Sequence, residues 1–365
     1  VPDHCIVTIR AVPKQAAAPL ESPRGEAIAD LHPAYFALVM ATGILAVACQ
    51  LLGIPTVPRF LLYLNFSAYA VLGLLTVARI AFFPRRFLAD FSSHQRGPGF
   101  FTAVAATSVV GVQLVVQLGM IAAARAMWWI AFALWLLLTY VIFAAITTKR
   151  EKPPLEDGIN GGWLTAVVAT QSVVVLGTMA PPMAGLHEGV ILGLVSLWLA
   201  GGMLYIWMIS IIFYRYTFFR FLPSDLMPPY WINMGAMAIS TLAGALLIRV
   251  ASTSPLLTAM LPFLKGFTLL FWATATWWIP MLLVLGVWRY VMRKIPLTYD
   301  PLYWGVVFPL AMYTTATYRL AEALPAPYLM FIPRIMVGAA LTAWLMTFLG
   351  LIMQLGGPLW KRQRQ

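Results

Sequence analysis

Apolar and polar residues alternate along this chain on the scale of whole helices. Ten apolar runs cover roughly 33–53, 60–83, 98–120, 126–147, 161–180, 188–214, 230–250, 265–291, 302–322 and 332–355. A helix of about 20 apolar residues crosses the hydrocarbon core of a bilayer. The connections between the runs are short and hold most of the charge. The narrowest division falls inside 98–147, where Gly119 to Arg125 leaves room only for a tight turn. The pattern predicts an all-α integral membrane protein with ten transmembrane helices.

Composition agrees. Hydrophobic residues make up 61% of the 365 and charged residues 10%, against about 25% charged in soluble domains. The net charge of +12 would suggest nucleic acid in a soluble protein. Here its distribution gives another meaning. Basic residues follow the even runs: Arg79, Arg85, Arg86 and Arg96, then Lys149, Arg150 and Lys152, then Arg215 and Arg220, then Arg289, Arg293 and Lys294. By the positive-inside rule both termini are expected in the cytoplasm of a multi-pass plasma membrane (cell inner membrane) protein. The expected division is an N-terminal tail over 1–31, a membrane domain over 32–356 and a basic C-terminal tail over 357–365. Residues 1–31 lack the apolar core of a signal peptide.

Several chemistries have no support in the residues. Cys5 and Cys49 are far apart, and the four histidines form no ligand pair, so neither a metal nor another cofactor is expected. No paired carboxylates or nucleophile–base set lies within the apolar runs, so an enzyme is not expected.

The odd runs resemble one another. Each opens on an aromatic residue followed by small ones: YFALVMATG from Tyr35, FFTAVAATS from Phe100, WLTAVVATQ from Trp163, WINMGAMAIS from Trp231 and WGVVFPLAMY from Trp304. The starts are 65, 63, 68 and 73 residues apart, about one helical hairpin each. Small residues let helices approach closely in a bilayer. Five hairpins are therefore expected to place their odd helices around a central pore. Helices packed about 9 Å apart in a ring of five leave a lumen of roughly 3 Å radius. Four residues past each aromatic stand Val39, Val104, Val167, Gly235 and Phe308. On this alignment the first four form a pore-lining ring, and Phe308 alone puts a bulky ring there. Pro309 removes the hydrogen bond to Gly305 and kinks the helix, supporting the gate. Thr315 and Arg319 fall within about 20° of Phe308 around the helix and continue the pore stripe. Arg319 is also spaced to pair with Glu322 at i, i+3.

At PAYFALVMATGIL and YWGVVFPLAMYTTATYRLA the chain resembles the tellurite-resistance and C4-dicarboxylate transporter family, which includes fungal malate and sulfite exporters and plant slow anion channels. The resemblance covers roughly 32–355. It implies ten helices in five hairpins, a central pore, a homotrimer and a gating Phe, matched here by Phe308 in VFPL. The mid-helix glycines Gly43, Gly111, Gly177 and Gly244 fall at unequal offsets, a departure that implies a pore of different shape.

Two functions follow as expectations. The first is a Phe-gated channel or exporter for small inorganic or organic anions, selective through pore width, hydroxyls and helix dipoles. The second is a proton-coupled C4-dicarboxylate carrier, which would need a midplane binding site.

Overall fold

The computed structural model describes residues 23–183 and 185–362. Residues 1–22 of the expected N-terminal tail and 363–365 of the C-terminal tail lie outside the described residues. Among those described, the chain is helical throughout, with no strand. Ten long helices appear: α1 (Ala37–Leu51), α2 (Val57–Phe82), α3 (Phe101–Leu118), α4 (Ile121–Thr148), α5 (Thr165–Met179), α6 (Glu188–Phe218), α7 (Ile232–Arg249), α8 (Leu261–Gly286), α9 (Trp304–Ala323) and α10 (Phe331–Arg362). The tight turn between α3 and α4 is made by Gly119 at φ +67°, a left-handed conformation that glycine adopts without strain. α10 runs on to Arg362, into the stretch expected to be tail.

Nine of the ten are long and apolar enough to cross a membrane. The exception is α9. Its 20 residues reach about 30 Å as a helix, but Thr314, Thr315, Thr317 and Arg319 dilute its apolar character. The packing gives the reason. Fifteen of its residues are buried, so this helix has almost no face to show to lipid.

The other odd helices are similarly enclosed. The apolar windows of α1, α3, α5 and α7 are 67–94% buried, while those of the even helices are only 17–39% buried. Each odd helix packs on its even successor, and the odd helices pack on one another in a closed circuit: α1 on α3, α3 on α5, α5 on α7, α7 on α9, and α9 back on α1. Small residues at the crossings allow this approach. A Cβ on Gly111 would lie 2.5 Å from Leu176 Cδ2, one on Gly177 2.6 Å from Leu194 Cδ2, and one on Gly43 or Gly244 would collide with Val109 or Thr268. The four mid-helix glycines thus serve contacts with neighbouring helices, and their unequal offsets follow those neighbours.

Hydrogen bonds tie even helices to odd ones. Tyr69 on α2 meets Thr107 on α3 at 2.8 Å, Trp135 on α4 donates to Thr170 on α5 at 2.9 Å, and Trp344 on α10 donates to Thr42 on α1 at 2.9 Å. The three threonines recur with the spacing of the repeat, 65 and then 63 residues. The bond from Trp344 joins the last helix to the first. Thr107 and Thr170 therefore face outer helices and are spent on packing. Among paired tryptophans, Trp129 and Trp277 are exposed, whereas Trp128 and Trp278 are buried and donate to the Val173 carbonyl and the Tyr205 hydroxyl.

Candidate functional site

Every odd helix is preceded by a short, tighter 3₁₀ turn: Pro33–Phe36, Gly97–Phe100, Gly161–Leu164, Pro228–Trp231 and Pro301–Tyr303. Proline suits these first positions, because its φ is already helical and its missing N–H would have no helical partner. The five turns touch in the same closed order as the helices below them. Thr102 Oγ1 donates to Gly99 O at 2.7 Å and to Pro33 O of the preceding turn at 3.1 Å. Thr165 repeats this with Gly162 O at 2.7 Å and Pro98 O at 2.6 Å. A Cβ on Gly99 would sit 2.9 Å from Ala34 N, and one on Gly161 would sit 2.5 Å from Tyr230 Cα. Those two positions admit only glycine at this spacing.

The turns enclose a cavity of about 300 Å³, at the small end of ligand sites. Each of the five repeats contributes an i, i+3 pair to its wall: Ala34 and Ala37, Gly99 and Thr102, Gly162 and Thr165, Pro229 and Ile232, Leu302 and Gly305. This shared wall gives the repeat a register of its own. The spacings are 65, 63, 67 and 73 residues, so the third differs by one from that read off the aromatic starts. That difference moves the expected ring. Val39, Val104 and Val167 stand two residues past Ala37, Thr102 and Thr165, about 200° around the helix. They lie on the far side from the cavity and are wholly buried. The residues level with Gly235 and Phe308 are instead Met40, Ala105 and Val168.

At this level nothing is open to water. Met40, Ala105, Val168 and Phe308 are at most 2% exposed, and Gly235 is buried. Gly305, expected as part of the kink, lines the cavity one turn above Phe308. Pro309 is enclosed against Gly235: a Cβ there would lie 2.8 Å from Pro309 Cγ and 3.1 Å from its Cβ. Position 235 thus faces α9, beside the residue that follows Phe308. Thr315 is buried and donates to Ala311 O at 3.1 Å.

The electrostatics of the cavity come from backbone and a few side chains. Five helix N-termini converge there, each carrying roughly half a positive charge. Most donors at these ends are already used. His32 Nδ1 accepts from Ala34 N at 3.1 Å, Asn160 Oδ1 from Gly162 N at 2.8 Å and Asp300 Oδ1 from Leu302 N at 2.7 Å. Burial, reinforced by the charge of Arg96, lowers the pKa of His32 to about 4, so its ring is neutral with the proton on Nε2. Arg96 on the cavity wall is also engaged. Its Nε lies 2.9 Å from Asp90 Oδ1, while Asp90 Oδ2 takes Arg79 at 2.7 Å. The same arginines bind the chain before α1, through Arg79 to Ala29 O and Arg96 to the Asp30 and Leu31 carbonyls. This Arg–Asp–Arg set carries one net positive charge beside the mouth, and Asp300, capping a turn of the same mouth, carries a negative one.

A second set of this kind sits at the opposite ends of the odd helices. Glu322 Oε2 takes Arg319 Nη1 and Arg249 Nη1, each at 2.8 Å, joining the C-terminal turns of α7 and α9. Sequence spacing foresaw the Arg319–Glu322 pair, but Arg249 comes from 73 residues away.

Comparison with known proteins places the chain among membrane transporters. An uncharacterized transporter of Methanocaldococcus jannaschii is 26% identical over 298 residues, covering 80% of this chain and 85% of the relative. A second from the same organism is 28% identical over 298 residues, covering 80% and 84%. An uncharacterized membrane protein of Mycobacterium tuberculosis is 35% identical over 161 residues, covering 44% of this chain and 81% of the relative. The family described as SLAC1, voltage-dependent anion channel, matches residues 30–352. With that match spanning nearly all the helical domain, the chain belongs to the SLAC1 family of membrane transporters and anion channels.

Proposed function

We propose that the protein conducts small anions through a pore along the axis of α1, α3, α5, α7 and α9, with Phe308 as its plug. The observation that carries this reading is the cavity walled by equivalent residues of all five repeats and ending on a water-excluded level that includes Phe308. The converging N-termini favour an anion over a cation at that mouth. The positive-inside reading puts the mouth on the cytoplasmic side of the plasma membrane, with both termini there, and the family resemblance suggests a homotrimer.

Conduction suits the chemistry better than tight carriage of a dicarboxylate. A carrier for a divalent acid would be expected to hold its carboxylates with unengaged arginines or free N–H groups. Here Arg96 is paired, and His32, Asn160 and Asp300 occupy backbone donors at three of the five turns. Weak attraction lets an ion leave as readily as it enters.

Planar-bilayer recording tests this directly. Wild type should pass little current at rest, and Phe308→Ala should pass a large, weakly selective current of chloride, nitrate and malate. Equal currents for the two proteins would remove Phe308 from the pathway. Saturable, proton-linked malate uptake without ohmic current would replace the channel with a carrier.

A further inference from the structure

Outside the circuit of inner helices, α4, α6 and the connection between α4 and α5 form a second hollow of about 410 Å³. Its walls include Phe143, Trp163, Leu204, Trp207, Met208 and Ile211. Trp207 is 59% exposed and Ile211 42% exposed, so the groove opens sideways, off the outer surface of the helices. At its head stand His94, Lys152 and Pro153. Lys149 is close by: its Nζ donates to Ser92 O at 3.1 Å, two residues before His94. His94 Nδ1 is covered and has no hydrogen-bond partner.

We propose that this groove binds an anionic phospholipid, with an acyl chain along the Leu204–Ile211 face of α6 and the phosphate at Lys149 and Lys152. The apolar part of the groove lies on helices whose exposed faces are suited to hydrocarbon. The polar part carries a positive field. His94 has its pKa lowered by burial and then by Lys149 and Lys152. The connection balances Lys149, Arg150 and Lys152 against Glu151, Glu156 and Asp157, and of these it is the two lysines whose charge lowers the His94 pKa. A headgroup with net negative charge fits this end better than a zwitterionic one.

The site also touches the mouth from behind. Trp163 walls the groove and donates its Nε1 proton to Gly158 O at 2.9 Å. It belongs to the turn Gly161–Leu164, and neighbouring Asn160 and Gly162 line the cavity. A lipid held on the outer side of this segment would brace one of the five parts of the mouth.

The test is native mass spectrometry of the detergent-purified protein with equimolar phosphatidylglycerol and phosphatidylcholine of matched chains. Each lysine near a headgroup is worth about fivefold in binding, so wild type should favour phosphatidylglycerol by about 25-fold. The double variant Lys149→Gln, Lys152→Gln should bring the ratio near one, and Lys149→Arg, Lys152→Arg should keep it. Leu204→Trp leaves both lysines in place and should lower retention of both lipids by filling the groove. No preference in wild type, a preference that survives the Gln pair, or full retention by Leu204→Trp would each overturn the proposal.

Discussion

Adding one methyl group at Gly235 should displace the helix that carries Phe308. The new carbon would lie 2.8 Å from Pro309 Cγ, 3.1 Å from its Cβ and 3.3 Å from its Cα. Carbon atoms in good contact are about 3.5–4.0 Å apart. A proline ring cannot swing aside, so α7 and α9 must separate by roughly 0.7–1.2 Å at this level. Overpacking of this kind costs about 1–3 kcal/mol, and each kcal/mol lowers the unfolding temperature of a 365-residue chain by only about 1.3 °C. Gly235→Ala should therefore melt about 1–4 °C early in detergent. It should also raise the resting anion current, because Phe308 precedes the displaced proline. Pro309→Ala removes the nearest atom and should relieve part of the strain, with a coupling of at least ~0.5 kcal/mol in a double-mutant cycle. A Gly235→Ala protein with wild-type melting and wild-type resting current would refute the close contact and its link to the plug.

Three further outcomes are expected. Asp90→Asn should destabilise the mouth by about 3–5 kcal/mol, since it leaves Arg79, which is 3% exposed, buried beside Arg96 without a counter-charge; thermal unfolding with and without the substitution reads this. Glu322→Gln should free Arg249 and Arg319 and increase anion conductance at low salt, with Arg319→Gln acting in the opposite sense, and both effects should fade near 1 M salt, where the screening length is about 3 Å; the same conductance ratio at both salt concentrations would dismiss the charge effect. Acidification should destabilise the fold between about 6.5 and about 4, because His32 in the fold resists protonation down to about 4 while the unfolded chain takes the proton near 6.5; His32→Asn keeps a capping acceptor and should flatten that part of the pH–stability profile.

The apolar pattern revealed the helices because a bilayer demands about 20 apolar residues per span. It marked α9 least clearly for a physical reason: a helix enclosed by protein is free to carry threonines and an arginine. The repeat was visible in outline and ambiguous in detail. Tyr230 precedes Trp231, and Tyr303 precedes Trp304, so either aromatic of each pair serves as a start. Choosing the tryptophans shifts the alignment by one residue from the register of the cavity wall, a turn of 100° that decides whether Val39, Val104 and Val167 or Met40, Ala105 and Val168 stand level with Phe308. The convergence of the five turns has a signal in the chain, since Pro33, Gly97–Pro98, Gly161–Gly162, Pro228–Pro229 and Pro301 recur before each odd helix. That these turns meet around one cavity depends on contacts between residues some 65 positions apart, which no local pattern records. Arg249 shows the same limit, because its partner Glu322 lies on another helix.

A conducting mouth has to attract an ion without holding it. The three caps at His32, Asn160 and Asp300 bear on this balance. Uncapped, the first turns would aim free N–H groups into the cavity, and such clusters are strong anion sites. Capped, they keep the long-range field of the helix dipoles while the short-range donors are spent. The arginine pairs work in the same way at both ends. Asp90 and Glu322 each bind two guanidinium groups, so each set keeps one unit of positive charge, offset at the cavity end by Asp300, and neither offers a bare arginine to grip a carboxylate. On the conduction reading, the acidic residues thus hold the arginines short of gripping an anion while leaving their field in place.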